Sequence, residues 1–178
     1  MTVNNNNNNK AEFKRLKELA KTAPSTSNAC LKLTNHQRTV SLPWGFMLNF
    51  RKGVRTIVEK GLNKYNPAMK AVPLGFGKIK AIKRLVRIIE DHPCLHLDID
   101  VEYVVFKPTI GEIIQCVVTR VDEGQVVCCA HNVISANMWL NEGIKVKSFP
   151  QLGDQVNFKI KAIHAHNGLV QLTGKIVH

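Results

Sequence analysis

Three acidic side chains, Asp98, Asp100 and Glu102, lie two residues apart along one stretch of the chain. Carboxylate oxygens are ligands for Mg²⁺ and Ca²⁺, so this spacing is compatible with a hard-metal site. In an extended strand, however, residues at i, i+2 and i+4 share one face, which is usually the solvated one. The sequence offers no second set of ligands nearby. We therefore favour a solvated strand face over a metal site.

Two Cys-x-His pairs raise the question of zinc. Cys94 precedes His96 and Cys129 precedes His131 by two positions, whereas structural zinc sites space paired ligands by two to four intervening residues on turns. The chain has an odd number of cysteines in apolar, strand-like runs: Cys30, Cys94, Cys116, Cys128 and Cys129. Reduced, buried thiols of an intracellular compartment explain them best. We expect no metal and no cofactor.

Enzymatic motifs are missing from the sequence. It contains no Gly-x4-Gly-Lys-Ser/Thr loop, no His-Glu-x-x-His and no Gly-x-Ser-x-Gly. No run approaches the roughly 20 apolar residues that span a bilayer, and the first residues lack the order of a secretory signal. These observations predict a soluble intracellular protein that is not an enzyme and has no membrane partner.

The formal charge of +12 is unevenly distributed. Residues 1–87 carry 18 lysines and arginines against 3 acidic residues, whereas residues 88–178 carry 7 against 10. Such an asymmetry indicates an acidic partner for the first half of the chain. Charge alone does not distinguish nucleic acid from an acidic protein surface.

The acidic row belongs to a run that alternates between apolar and polar residues from Leu95 to Phe106, which predicts a strand that ends before Pro108. Upstream, the sequence predicts a strand over 30–40, an amphipathic helix over 50–64, a Pro/Gly loop over 67–77 and a strand over 78–89. We assign residues 29–107 to one α+β domain. Residues 1–28 form a basic leader, with disorder over 1–9, a helix over 10–21 and a linker over 23–28.

The second half shows short strands separated by turn signals. Asp122-Glu-Gly124 predicts a hairpin between 113–121 and 125–130, and a third strand with a turn of helix is expected over 133–140. Strands over 155–163 and 169–176 follow. Five short strands in this length are typical of a small barrel of the OB type, which we place over residues 108–178.

These patterns resemble a known family. Val72-Pro-Leu-Gly-Phe-Gly-Lys-Ile-Lys-Ala81, the run Asp98-Ile-Asp-Val-Glu-Tyr-Val-Val-Phe-Lys-Pro108 and Gly111-Glu-Ile-Ile together resemble the larger stalk subunit of multisubunit RNA polymerases. Within that family, the Val-Pro after the helix and the strand Leu-His-Leu-Asp-Ile are most similar to the RNA polymerase I type. The resemblance covers roughly residues 29–176. It implies the fold class α+β, a truncated RNP-like N-terminal domain followed by an S1-type OB β-barrel, without catalysis.

The resemblance also implies a docking site for the polymerase core. By position, the docking loop corresponds to Val72, Pro73, Leu74, Gly75, Phe76 and Gly77. Two glycines allow a loop to approach another chain closely, and an exposed Phe76 would fill a pocket there. The alternative is that Phe76 packs into its own core. Family members pair with a small stalk partner through the first domain and its junction, here Tyr103, Val105, Phe106 and Pro108, although packing between the domains explains those residues equally well.

Single-stranded RNA is a further candidate partner, because OB barrels bind single strands on basic surfaces with exposed aromatics. The candidate nucleic-acid-binding residues are Arg120, Lys145, Lys147, Lys159 and Lys161. Ordinary solvated lysines are the alternative.

We therefore predict a non-catalytic stalk subunit of RNA polymerase I. It would contact core subunits of that polymerase and a transcription initiation factor, in the nucleus and nucleolus. Two alternatives stay open: the equivalent subunit of another nuclear RNA polymerase, and a free-standing S1-type RNA-binding protein.

Overall fold

The computed structural model describes residues 4–22, 30–83, 86–89, 93–139 and 150–177, with residues 4–8 and 22 described by their backbone only. The chain divides into two compact units. The first comprises the described residues of 1–18, 33–63 and 73–105, and the second comprises those of 19–32, 64–72 and 106–178. The segment 64–72 is thus grouped with the second half, outside the sequence-based boundary at 107/108.

The first unit is built on a sheet in which β4 (Cys94–Phe106) lies between β1 (Leu31–Pro43) and β2 (Val72–Ala81). The short β3 (Arg87–Ile88) also pairs with β4, opposite His96 and Leu95. Helix α2 (Phe50–Glu59) follows a 3₁₀ helix at Trp44–Asn49. The predicted strand over 95–106 is confirmed, and its apolar face, including Ile99, Val101 and Tyr103, is buried.

Helix α1 (Asn4–Thr22) confirms the helix predicted over 10–21 and corrects the disorder expected over 1–9 for residues 4–9, while residues 1–3 lie outside the described residues. Asn4–Asn9 extend the helix, and the Asn9 side chain donates a hydrogen bond to Glu59 Oε1 at 3.2 Å. The expected linker over 23–28 lies outside the described residues. Composition suggested disorder, but packing of a neighbouring apolar face is what stabilises most helices in proteins.

The predicted loop over 67–77 is wrong in its second half. Strand β2 begins at Val72, five residues before the loop was expected to end. Helix α2 also ends earlier than predicted, at Glu59. The following turn is tighter, because the amides of Gly61 and Leu62 each bond to the carbonyl three residues earlier. Pro73 is tolerated in β2 because this strand lies at the edge of the sheet.

The second unit contains a closed five-stranded barrel in the order β5-β6-β7-β9-β8. Its strands are β5 (Ile113–Val121), β6 (Gln125–Ala130), β7 (Ile134–Trp139), β8 (Gln155–His166) and β9 (Leu169–Val177). All neighbours are antiparallel except β7 and β9, which pair in parallel. The α+β class and the OB-type barrel are confirmed. Strand β7 extends to Trp139, and the rest of the segment in which a turn of helix was expected lies outside the described residues.

Candidate functional site: a docking groove and two basic surfaces

An apolar groove of about 610 Å³ lies between α2 and the sheet of the first unit. Helix α2 contributes one wall, and the later part of β2 and the first half of β4 contribute the other. The apolar residues that line it include Phe50, Val54, Phe76, Ile79, Leu97 and Ile99, with Arg51 and Arg55 as its charged residues. An open apolar groove with a few charged groups is a typical site for a partner side chain or segment.

The chain next to the groove also exposes large apolar residues. Met47 and Leu48 lie in the 3₁₀ helix just before Phe50, and Leu48 is fully exposed. Ile82 directly follows β2, and Ile88 is two-thirds exposed in β3. Large exposed apolar residues occur in the second unit as well, so those of the first unit indicate a protein-protein interface only together with the groove.

The six residues assigned to a docking loop are placed differently from the prediction. Val72 to Phe76 are buried in β2, and Phe76 is only 6% exposed. The guanidinium of Arg55 lies 5.3 Å from the centroid of the Phe76 ring, while Arg55 is paired with Glu59 at 3.1 Å. The expectation of an exposed Phe76 is therefore wrong. Phe76 and Gly77 nevertheless line the groove.

The two glycines of β2 serve contact with α1. A Cβ atom at Gly77 would lie 2.6 Å from Cε1 of Phe13, and one at Gly75 would lie 3.6 Å from both Phe13 and Leu16. Because successive residues of a strand face opposite sides, α1 lies on one face of β2 and α2 on the face of Phe76. Helix α1 thereby buries part of this face of β2.

The acidic row of β4 is occupied by partners from its neighbours. The Thr39 hydroxyl donates a hydrogen bond to Asp98 Oδ1 at 2.7 Å, and Arg87 Nη2 donates one to the same oxygen at 2.8 Å. These bonds hold the pKa of Asp98 below its usual value. Lys17 of α1 pairs with Glu102 at 2.6 Å and lowers the pKa of that carboxyl. The charges of Asp98 and Glu102 are thus compensated within the unit. Asp100 accepts a hydrogen bond from Asn35 at 3.4 Å through Oδ2, whereas its buried Oδ1 has no hydrogen-bond partner among the described residues.

Cys94 and His96 lie together on the same face, with Cys94 Sγ 3.6 Å from His96 Nε2 and Ser41 Oγ 3.2 Å from His96 Nδ1. Within the described parts of the chain, no cluster of three or more His, Cys, Asp or Glu side chains is placed to hold a metal ion. Likewise, no helix there is long and apolar enough to cross a membrane.

A cleft of about 180 Å³ opens on the same polar face. Its lining residues are Lys17, Asn35, Lys78, Lys80, Asp100 and Glu102. A Gly77 Cβ would lie 2.5 Å from Glu102 Oε2, and Lys78 lines the cleft together with Glu102. Phe76 and Ile79, by contrast, both line the groove on the other face of the sheet. The alternation of β2 therefore slips by one residue at this point, as in a β-bulge, and it turns Lys78 and Lys80 toward the polar face.

The junction residues are mostly buried. Tyr103 and Val105 belong to the first unit, and burial raises the pKa of the Tyr103 hydroxyl. Phe106 belongs to the second unit and packs edge-on against His131, with ring centroids 5.7 Å apart. Pro108 is half-buried. Three of the four are thus core residues, while their assignment to a partner subunit stays a prediction.

The second unit also contains a hydrogen bond between a buried thiol and a carboxylate that was not predicted from the sequence. The Cys30 thiol donates a hydrogen bond to Glu112 Oε2 at 2.8 Å. Burial, followed by this hydrogen bond, raises the pKa of Cys30 to about 12. The thiol therefore stays protonated at neutral pH and serves as a structural hydrogen-bond donor.

The basic residues assigned to nucleic-acid binding differ in their availability. Arg120 forms an ion pair with Asp122 at the end of β5, with Nη2 2.7 Å from Oδ2, and its charge is therefore already compensated. Lys159 and Lys161 are exposed on β8, and Lys159 lies directly opposite Lys175 of β9. Lys145 and Lys147 lie outside the described residues.

The class of protein that this architecture defines is an α+β unit followed in the chain by an OB-type barrel. Residues 10–107 match the family described as the F10E9.4 N-terminal domain, which is more than half of the chain. The chain therefore belongs to this family.

Its curated relatives carry a more particular name. The chain is 25% identical over 136 residues to "DNA-directed RNA polymerase I subunit RPA43" of Homo sapiens, covering 74% of this chain and 40% of that protein. It is 24% identical over 153 residues to the protein of the same name from Mus musculus, with 83% and 46% covered. For Danio rerio the values are 23% over 159 residues, with 83% and 39% covered. The predicted resemblance to a polymerase I subunit is confirmed, and the chain spans less than half the length of these relatives.

Proposed function

We propose that this protein is a non-catalytic stalk subunit of RNA polymerase I that acts in the nucleus. The observation that carries the proposal is the match to three RPA43 proteins over 74–83% of the chain, extending through both units. The order of an α+β unit and an OB-type barrel agrees with the architecture expected for such a subunit.

The first unit docks on the polymerase core through the groove between α2 and the sheet. Its apolar walls and the neighbouring exposed Met47, Leu48 and Ile82 support this assignment, because a stable interface needs apolar surface at its centre. Within the segment 72–77, the proposal rests on Phe76 and Gly77, which line the groove. The other four residues, 72–75, are buried in the first part of β2 and do not line the groove.

Affinity purification tests the docking step. A tagged wild-type chain is expected to recover the large subunits of polymerase I, and Ala81→Glu is expected to lose them, because a charge would enter the apolar groove. Ala81 is exposed in the free protein, so the variant should keep its own melting temperature. The matched control is Val117→Glu on the barrel, where an exposed apolar residue also becomes acidic.

Equal recovery of polymerase by wild type and Ala81→Glu would contradict docking through the groove. Recovery of the large subunits of another nuclear polymerase would redirect the assignment to that enzyme. Recovery of neither polymerase, but of free RNA, would favour a solitary RNA-binding protein.

The barrel presents surface for an initiation factor and nascent RNA in the nucleolus. Trp139 is 59% exposed at the end of β7, and the pair Lys159 and Lys175 places two like charges side by side. Like charges directly opposite on a sheet are unfavourable until an anion neutralises them. For the full chain, Lys159→Gln/Lys161→Gln is expected to weaken binding of single-stranded RNA, and unchanged affinity would remove RNA from the proposal.

A further inference from the structure

The basic face of α1 is a feature that the docking groove does not use. Lys10, Lys14 and Lys17 recur at intervals of four and three residues, so they form one stripe along the helix. Of the acidic residues in this part of the helix, Glu12 lies on the opposite side, whereas Glu18 follows Lys14 by four residues and borders the stripe. Lys10 and Lys14 are exposed, and the stripe advances about 6 Å between them.

The stripe continues onto the sheet. Lys17 lines the cleft that also contains Lys78 and Lys80. These two exposed lysines share one face of β2 at a separation of about 7 Å, because the bulge after Gly77 turns both toward α1's side of the sheet. The first unit therefore contains five lysines in these two places, with Lys17 common to the stripe and the cleft. Two carboxylates accompany them, Asp100 and Glu102, and the second is already paired with Lys17.

The stripe is held in place before any ligand arrives. Phe13 and Leu16 pack on Gly75 and Gly77, Leu16 is 3% exposed, and the Lys17–Glu102 pair fixes the far end. A helix of this length and composition would be marginal alone. The apolar residues of α1 thus pack against the sheet, and its lysines face outward at regular intervals.

The composition of this face distinguishes between classes of partner. Protein interfaces are depleted in lysine and enriched in aromatic residues and arginine. The stripe has the opposite composition, since its residues are lysines and the aromatic Phe13 is turned onto the sheet. Regularly spaced, flexible ammonium groups match the repeating phosphates of a nucleic-acid strand, which require charge and no side-chain pocket.

We propose that Lys10, Lys14, Lys78 and Lys80 form a sequence-independent binding strip for the phosphate backbone of a nucleic-acid strand. Lys17 positions the helix through Glu102 and adds to the local potential. This strip lies in the first unit and is separate from Lys159 and Lys161 of the barrel. It does not depend on the assignment to a polymerase.

Anisotropy titration of the full chain with single strands of RNA and of DNA, about 20 nucleotides long, tests the strip. The variant is Lys10→Gln/Lys14→Gln/Lys78→Gln/Lys80→Gln. Four phosphate contacts on a single strand give a salt slope of about −2.8, so wild type should lose about fifty-fold more affinity than the variant between about 50 and 200 mM salt. The two half variants, Lys10→Gln/Lys14→Gln and Lys78→Gln/Lys80→Gln, should each remove about half of this slope.

The matched control is Lys52→Gln/Lys60→Gln/Lys64→Gln/Lys70→Gln, which removes the same charge from exposed positions elsewhere. It should keep most of the salt slope. Equal loss in both quadruple variants would mean that net charge alone attracts the strand, and it would overturn the proposal. Absence of binding by wild type at low salt would overturn it too, as would a loss confined to Lys159→Gln/Lys161→Gln. Similar affinity for RNA and DNA is expected, and a strict requirement for either would contradict backbone binding.

Discussion

The close contact between α1 and β2 predicts that Gly77→Ala separates the helix from the sheet. A Cβ at Gly77 would lie 2.6 Å from Cε1 and Cζ of Phe13 and 2.5 Å from Glu102 Oε2. Such separations are far inside van der Waals contact, so the ring, the helix or the carboxylate has to move. Glu102 is held by Lys17, which couples its displacement to the helix.

The size of the effect follows from what α1 loses. Exposure of Leu16 costs about 1.5–3 kcal/mol. Loss of the partly solvated Lys17–Glu102 pair costs about 0.5–1 kcal/mol. Alanine restricts the unfolded chain more than glycine does, which restores about 0.4–1 kcal/mol. We expect Gly77→Ala to lower the free energy of unfolding by about 2 kcal/mol.

Urea unfolding followed by circular dichroism measures this loss, and limited trypsin digestion after Lys14 or Arg15 reports release of the helix. Gly45→Ala is the control, because no atom lies within 4 Å of a Cβ at that glycine. If the ring of Phe13 causes the conflict, Phe13→Ala/Gly77→Ala should be no less stable than Phe13→Ala alone. Strict additivity of the two substitutions, or wild-type stability of Gly77→Ala, would refute the reasoning.

Three other outcomes are expected. Gly174→Ala should lower the free energy of unfolding by about 3 kcal/mol, because its Cβ would collide with the carbonyl oxygen of Lys159, which cannot move without parting β8 from β9; a normal urea midpoint would contradict this. Lys17→Met should cost about 0.5–1 kcal/mol at pH 7. Because the folded pKa of Glu102 lies below its ordinary 4.5, that difference should fade as the pH drops below 4.5 and through the folded pKa, so a difference that persists at low pH would argue against the ion pair. The Cys30 thiol should resist iodoacetamide in the folded protein at pH 8, by mass spectrometry, and react once urea unfolds the chain.

Much of the fold follows from local pattern. The period-two alternation of β4 identified its buried face, since one side of that strand packs and the other meets polar partners. The turn at residues 122–124 placed the β5–β6 hairpin for a similarly local reason. Both signals come from residues adjacent in sequence, which is why they could be interpreted without coordinates.

The site depended on contacts between distant residues. In the sequence, Gly75 and Gly77 cannot be distinguished from the glycines of a turn. Only the position of Phe13, some 60 residues earlier, shows that the two glycines allow α1 to pack closely on β2. The availability of Arg120 depended on its side-chain geometry with Asp122. The groove was missed because its walls come from segments far apart in the chain, although an amphipathic helix was predicted for one of them.

The short parallel pairing of β7 with β9 determines where the barrel should open locally. Residues 135–137 meet residues 171–173 along a short seam, whereas β8 and β9 pair from 157 to 166 with 169 to 177. Fewer backbone hydrogen bonds have to break between β7 and β9 than between β8 and β9. Local opening of the barrel should therefore begin between β7 and β9, while β8 and β9 stay paired. Hydrogen–deuterium exchange would then be fastest for the amides that pair β7 with β9. The barrel would open there into a curved five-stranded sheet, because this short pairing is what closes it.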